Sequence, residues 1–240
     1  MRGNGVEKKS MLYIKNMDSL SLYNYFRSST SYRVRIALEI KGLKYTYIPV
    51  HLLNNGGEQN TTEYRKLNPA GGVPSLQHNG KIISQSFAII DYLESMFPEP
   101  ALFPKDHYQS GKIRQFCETV NSDIHPLTNL KVMKFLETDF AFSTEQKVKW
   151  ISKWVTDGLL ALEKIVAPQA GLFCFGDTLT AADLFLIPQL FSANRFQVDI
   201  SKFENLSRIN EACLKKEAFA KAHPHRQSDT PEELRLPALS

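Results

Sequence analysis

The pattern of apolar and polar positions changes character near the middle of the chain. Leu20 to Phe26 is a run of aromatic and aliphatic residues that predicts a strand. Ser31 to Lys41 then carries helical periodicity through Val34, Ala37, Leu38 and Lys41, and Gly42 closes that helix. Tyr45 to Val50 predicts a second strand after a short loop, so the three segments form a βαβ unit with parallel strands. A polar loop, Asn54 to Thr62, and a short helical stretch, Thr62 to Leu67, follow. Ser75 to His78 and Lys81 to Ser84 flank Asn79-Gly80, a strong signal for a two-residue hairpin turn. Ser86 is expected to cap a periodic segment, Phe87 to Phe97, with Phe87, Ile90, Leu93, Met96 and Phe97 toward a core and Asp91, Glu94 and Ser95 toward water.

Beyond this point no strand pattern competes. Pro98, Pro100 and Pro104 interrupt the chain and read as a linker. Long helical stretches are expected from Tyr108 to Phe135 and from Glu145 to Val166, the second entered by Ser143 with Gln146 three residues on, a capping box. Thr180 and Asp183 repeat that device before Leu184 to Phe191. The order predicts an α/β unit followed by an all-α unit: a disordered lead over 1–17, a βαβ-ββα domain over 18–98, a linker over 99–107, an all-helical domain over 108–222 and an irregular tail over 223–240.

At 240 residues and 42% apolar content the chain can bury a real core, which excludes wholesale disorder. Its 29 Lys plus Arg against 25 Asp plus Glu leave +4, too slight and scattered for a nucleic-acid footprint. Apolar runs are short, as where Leu184 to Ile187 meets Pro188, so no membrane span is expected. Met1 to Ser10 has no apolar signal core. Cys117, Cys174 and Cys213 are too far apart for a zinc pattern, so no metal is expected, and scattered thiols in odd number suit the cytoplasm.

Candidate chemistry gathers at the first strand-to-helix turn. Ser28, Ser29, Thr30 and Ser31 place several hydroxyls where free backbone N–H groups and the helix dipole favour an anion, although one of them is needed as the N-cap and the others could simply fill a polar turn. Val73, extended because Pro74 follows, could offer its N–H and C=O to the backbone of a peptide-like ligand. Gln85-Ser86 supplies an amide and a hydroxyl at a second helix start. Two helix N-termini and one edge peptide suit a small peptide with carboxylates.

The segment Tyr25-Phe26-Arg27-Ser28-Ser29-Thr30-Ser31-Tyr32-Arg33-Val34-Arg35-Ile36-Ala37-Leu38 resembles the signature of the zeta-class glutathione transferases, the maleylacetoacetate isomerases. Asn68-Pro69, Val73-Pro74, Gln85 to Leu93, Asn194-Arg195-Phe196 and His223-Pro224 through Asp229-Thr230-Pro231 resemble that family in the same order, from about Leu20 to Leu236. The resemblance implies a thioredoxin-like domain that binds glutathione and a helical domain that walls off an electrophile site, in a homodimer. It implies that Ser28, with Ser29 close by, faces the glutathione thiolate. The signature residues Thr30, Ser31, Tyr32 and Arg33 would border the cofactor, as would His125 and Asn129. Val73-Pro74 would pair with the cysteinyl backbone, Gln85 and Ser86 would hold the γ-glutamyl end, Gln59 would lie near the glycyl end, and Arg195 would take a substrate carboxylate. The implied reaction is thiolate addition to the cis double bond of maleylacetoacetate, rotation, and elimination to fumarylacetoacetate in tyrosine and phenylalanine breakdown.

Three departures from the family pattern bear on this. Thr30 stands where the family usually has Cys, keeping a hydroxyl but losing a soft nucleophile. Tyr32 replaces the common Trp. His125-Pro126-Leu127-Thr128-Asn129 stands where a Gln-Pro-Leu-Gln-Asn run is usual, which would add a group titrating near neutral pH. Two alternatives follow: a transferase that conjugates or dehalogenates small electrophiles such as α-halo acids, and a noncatalytic glutathione-fold protein that binds ligands or proteins.

Overall fold

The computed structural model describes residues 19–237 and Leu239, and the lead expected over 1–17 lies outside the described residues. Four strands, β1 (Leu20–Asn24), β2 (Thr46–Pro49), β3 (Ser75–His78) and β4 (Lys81–Ser84), form one sheet in the order β2-β1-β3-β4. β1 is parallel to β2 and antiparallel to β3, and β3 is antiparallel to β4. Helix α1 (Ser29–Ile40) makes the crossover, a short α2 (Thr62–Leu67) precedes β3, and α3 (Ser86–Met96) follows β4. The hairpin turns as its sequence requires, with Asn79 and Gly80 at φ 50° and 80°, the left-handed pair of a type I′ turn.

The rest is helical: α4 (His107–Glu118), a widened π turn (Thr119–Ile124), α5 (His125–Thr128), α6 (Leu130–Asp139), α7 (Thr144–Val166), α8 (Ala181–Arg195), α9 (Glu204–Leu214) and α10 (Glu217–Ala222). Helix α1 packs against α3 on one side and against α8 and α10 on the other. Ser31 through Leu38 therefore expose essentially no surface, including two arginines. A helix buried all round loses the one-sided stripe that amphipathic periodicity looks for.

Several boundaries differ from the sequence expectation, each for a local reason. The first strand stops at Asn24, because Tyr25 begins a turn whose carbonyl accepts the Ser28 N–H at 3.0 Å. Helix α1 starts two residues early, at Ser29, with Ser28 as its cap. Ser86 is the first residue of α3, and the cap position falls to Gln85, whose φ is 75° and whose side chain makes no capping bond. In α3 Met96 is half exposed and Ile89 is buried in its stead. The single helix expected from Tyr108 to Phe135 is broken: Pro126 has no N–H to continue the ladder, and Asn129 leaves helical geometry at φ −75°, ψ 161° to cap α6 by accepting the Val132 N–H. The Ser143–Gln146 capping box of α7 is present. In α8, which runs on through Pro188 to Arg195, Asp183 accepts the Thr180 N–H at 2.9 Å and also the Cys174 N–H. The tail has only short 3-10 turns yet is tied down, since Asp229 accepts the Phe26 N–H at 3.0 Å and the Tyr47 hydroxyl.

Candidate active site

A cavity of about 820 Å³ opens between the sheet unit and the helices that follow it. Its walls come from the β1–α1 turn, the loop around Gln59, the Val73-Pro74 segment and the start of α3 on one side, and from Asn121 to Lys134 and the end of α8 on the other. Ser28, Ser29, Thr30, Gln59, Val73, Pro74, Gln85, Ser86, His125, Asn129 and Arg195 all line it. Ser31, Tyr32 and Arg33 do not. They are fully buried behind the wall, where the Tyr32 hydroxyl donates to Phe219 O at 3.2 Å. The helical turn that presents positions 28 to 30 rotates 31 to 33 inward, so those three side chains, expected to border the cofactor, do not reach the cavity.

The hydroxyl network at the α1 start has a definite polarity. Ser28 Oγ accepts the Ser31 N–H at 3.2 Å and lies 2.8 Å from Thr30 Oγ1, while Thr30 donates to the Val73 carbonyl at 2.9 Å. A carbonyl only accepts, so the single Thr30 proton goes to Val73 and Ser28 must donate at the Ser28–Thr30 contact. Ser28 thus combines the bland role, N-cap, with the only proton of the pair that can swing toward a ligand. Ser29 is buried with its Oγ 3.4 Å from His125 Nδ1. The Val73–Pro74 peptide is cis. Gln59 is buried, and its Oε1 has no hydrogen-bond partner among the described residues.

Among the described residues five cations line the cavity, Arg27, Arg65, Lys131, Lys134 and Arg195, and no Asp or Glu does. Arg65 is held by Pro69 O and Asn60 Oδ1, whereas Arg27 and Arg195 only lie against aromatic rings: Arg27 is 6.0 Å from the centroids of Tyr25 and Phe26, and Arg195 is 4.4 Å from that of Phe196. Burial, together with the like charge of Arg27, lowers the Arg195 pKa to about 10, which leaves it cationic at neutral pH. Arg27 escaped the sequence reading as a site residue although it adjoins the serine cluster; an arginine in a turn with no acidic residue near it in sequence was the available signal.

His125 does not titrate near neutral pH as its residue type suggested. Burial and then the positive fields of Arg33 and Lys131 push its pKa down to about 3, and burial with His225 as a neighbour lowers that of His223 to about 4. Both are neutral in the folded protein and take up a proton near pH 6.5 when unfolded. The unfolded chain then binds more protons below pH 6.5, so stability should be full above that value and fall as the pH drops toward 4. Denaturant melts at pH 7.5 and pH 5 should show this loss. The His125 ring resonance should stay flat from pH 8 to 5, and a midpoint near 6.5 would refute the assignment.

Residues 22–101 match the family model of the glutathione S-transferase N-terminal domain, the class of protein that this sheet order and this cavity define. Over 214 residues the chain is 44% identical to maleylacetoacetate isomerase of Mus musculus, a match covering 89% of this chain and 96% of the relative. Among solved structures it is similar to maleyl pyruvate isomerase, a bacterial zeta-class glutathione S-transferase, at 38% identity and a TM-score of 0.85, covering 88% of this chain and 100% of the other. It is also similar to maleylacetoacetate isomerase from Anaeromyxobacter dehalogenans with glutathione bound in its active site, at 39% identity and a TM-score of 0.81, over 90% and 99% of the two chains. The chain belongs to this family, the zeta-class glutathione transferases and maleylacetoacetate isomerases.

Proposed function

We propose that this chain is a glutathione-dependent cis–trans isomerase that converts maleylacetoacetate to fumarylacetoacetate in tyrosine and phenylalanine catabolism, working as a cytoplasmic homodimer. The observation that carries this reading is the charge of the cavity: five cationic side chains and no carboxylate among the described residues that line it. Maleylacetoacetate is a dicarboxylate and glutathione carries two carboxylates of its own, so a wall of one sign suits both and raises their local concentration. On this reading the segment 18–98 holds the peptide, 108–222 walls off the electrophile, and 99–107 links them.

The residues present fit glutathione. A buried, unpartnered Gln59 Oε1, the Ser28 hydroxyl with its proton on Thr30, the Val73 backbone and the helix start at Gln85-Ser86 supply polar groups along one side of the cavity. Glutathione bound there supplies a thiol whose thiolate adds reversibly to the cis double bond. Ser28 turns its proton toward the thiolate, and the α1 N-terminus adds the field of unpaired N–H groups, both favouring the anion. Thr30 holds the Val73 carbonyl and accepts from Ser28 until the anion arrives. Ser29 and neutral His125 close the floor and hold no transferable charge. Arg195 and Arg27 take substrate carboxylates and stabilise negative charge that develops toward the carbonyl of the electrophile. Asn129, its Oδ1 committed to capping α6, can offer only its amide N–H groups.

The test is isomerisation of maleylacetoacetate followed with and without glutathione. A rate that requires glutathione is expected. Protein that binds glutathione yet leaves maleylacetoacetate unchanged would sink the isomerase reading, and a panel of α-halo acids and conjugating electrophiles would then separate a transferase from a silent binder.

A further inference from the structure

Arg33 is a buried cation with unfinished bonding. It exposes no surface, its Nη1 donates to Ser86 Oγ at 3.1 Å and to Asn121 Oδ1 at 2.9 Å, and its carbon centre lies 4.4 Å from the Phe185 ring centroid. Its Nε and Nη2 have no hydrogen-bond partner, and no carboxylate pairs with it, among the described residues. The acid whose field reaches it, Glu118, accepts from Ser122 and Asn121. Arg35 offers the contrast: two positions on in α1 and equally buried, it places Nε, Nη1 and Nη2 on Ala222 O, Asn24 Oδ1, Tyr25 O and Phe26 O. Burying a charge without a counter-charge is costly, so Arg33 destabilises the empty fold unless something completes it.

The side of Arg33 that reaches toward the cavity is Nη1, through Ser86. The Ser86 oxygen accepts the Arg33 Nη1–H, its own O–H has no acceptor among the described residues, and Ser86 lines the cavity at the first turn of α3, an eleven-residue helix whose early N–H groups have no intrahelical partner. Guanidinium, hydroxyl and helix start thus lie in sequence from the buried wall to a residue that lines the cavity.

We propose that Arg33 is a positioning residue that acts through Ser86: its charge is left uncompensated in the wall so that a carboxylate bound at Ser86 completes the pair from the cavity side. The inference rests on the glutathione reading above, and the carboxylate is then the α-carboxylate of the γ-glutamyl residue. Arg33 also adds to the positive field that keeps His125 neutral on the cavity floor.

The experiment compares glutathione with 4-aminobutyryl-cysteinyl-glycine, which lacks only that carboxylate, by calorimetric titration of the wild type, Arg33→Met and Arg33→Lys. Wild type should prefer glutathione by about tenfold or more, the usual scale of a charged hydrogen bond. Arg33→Met should bind the two ligands within about twofold of each other, and Arg33→Lys should recover part of the preference. Equal weakening of both ligands in Arg33→Met, as a merely loosened pocket would give, overturns the proposal. A variant at so buried a position risks not folding, so the unmodified protein carries a second readout: the Arg33 Nε–H resonance should shift on adding glutathione and not on adding the analogue. No difference between the two ligands in wild type overturns the proposal while leaving glutathione binding intact, whereas binding of neither ligand takes both readings down.

Discussion

Ser28→Ala should lower the glutathione-dependent isomerisation kcat/KM by about 100-fold or more and return the pKa of the bound glutathione thiol toward the range of about 8.5 of a free thiol. The argument is one of proton counting. Ser28 and Thr30 own two hydroxyl protons, and the Val73 carbonyl holds one of them. The other belongs to Ser28 and is the one that can reach a sulfur anion; Thr30 cannot supply a substitute without releasing Val73. The same substitution removes the N-cap of α1, which costs about 1 kcal/mol of stability, a loss that a well-packed helix tolerates. A denaturant melt therefore separates the two effects, and absorbance of the thiolate near 240 nm as a function of pH reads the thiol directly. Ser29→Ala should do much less, because its buried hydroxyl makes only a long 3.4 Å contact with His125. Unchanged thiol ionisation in Ser28→Ala, with turnover intact, would remove Ser28 from the chemistry and leave it a cap.

The order of elements was open to sequence reasoning wherever a local rule was sufficient. Asn79-Gly80 fixed the hairpin to the residue, Thr62–Leu67 appears with the expected bounds, and the Ser143–Gln146 box set the start of α7. Failures cluster where tertiary context decides. Nothing in the apolar pattern announces that α1 is buried on all sides, because its two arginines interrupt the stripe and part of their bonding comes from residues distant in sequence, Ala222 for Arg35 and Asn121 for Arg33. Ser86 has the residue type of a cap, yet the chain enters α3 through a left-handed Gln85, a strained conformation that no propensity favours and that sits at the cavity wall. His125 shows the same limit for chemistry. Its residue type promises a group poised near pH 6.5, and the burial and nearby cations that remove this promise come from Arg33, more than ninety positions back in the chain, and from Lys131. The resemblance of the signature segment pointed to the hydroxyl cluster that lines the cavity but not to the next three side chains turning away from it.

The largest effect at the electrophile end is expected from the pair Arg27 and Arg195. Each single alanine variant should weaken kcat/KM for the dicarboxylate substrate by about 10- to 100-fold, and the double variant by about 1000-fold, the scale of losing two charge-assisted contacts. Most of the loss should fall in KM, because the carboxylates are present in the ground state as well as in the transition state. The geometry favours a shared task. Arg27 lowers the pKa of Arg195, so each guanidinium feels the other, and neither has an ion-pair partner among the described residues. Two like charges lining one cavity repel until anions arrive, which links their occupancy. Burial lowers the Arg195 pKa most, so removing Arg27 should raise it only in part. Salt gives an independent measure: wild-type kcat/KM should fall as ionic strength rises, and the dependence should flatten in the double variant as the cavity loses two of its five cations. A monocarboxylate electrophile such as a small α-halo acid needs only one of the two, so it should lose activity in one single variant and little more in the double. If the monocarboxylate and the dicarboxylate respond identically to both substitutions, the cations act only as a general field, and the assignment of two carboxylates to two arginines is wrong.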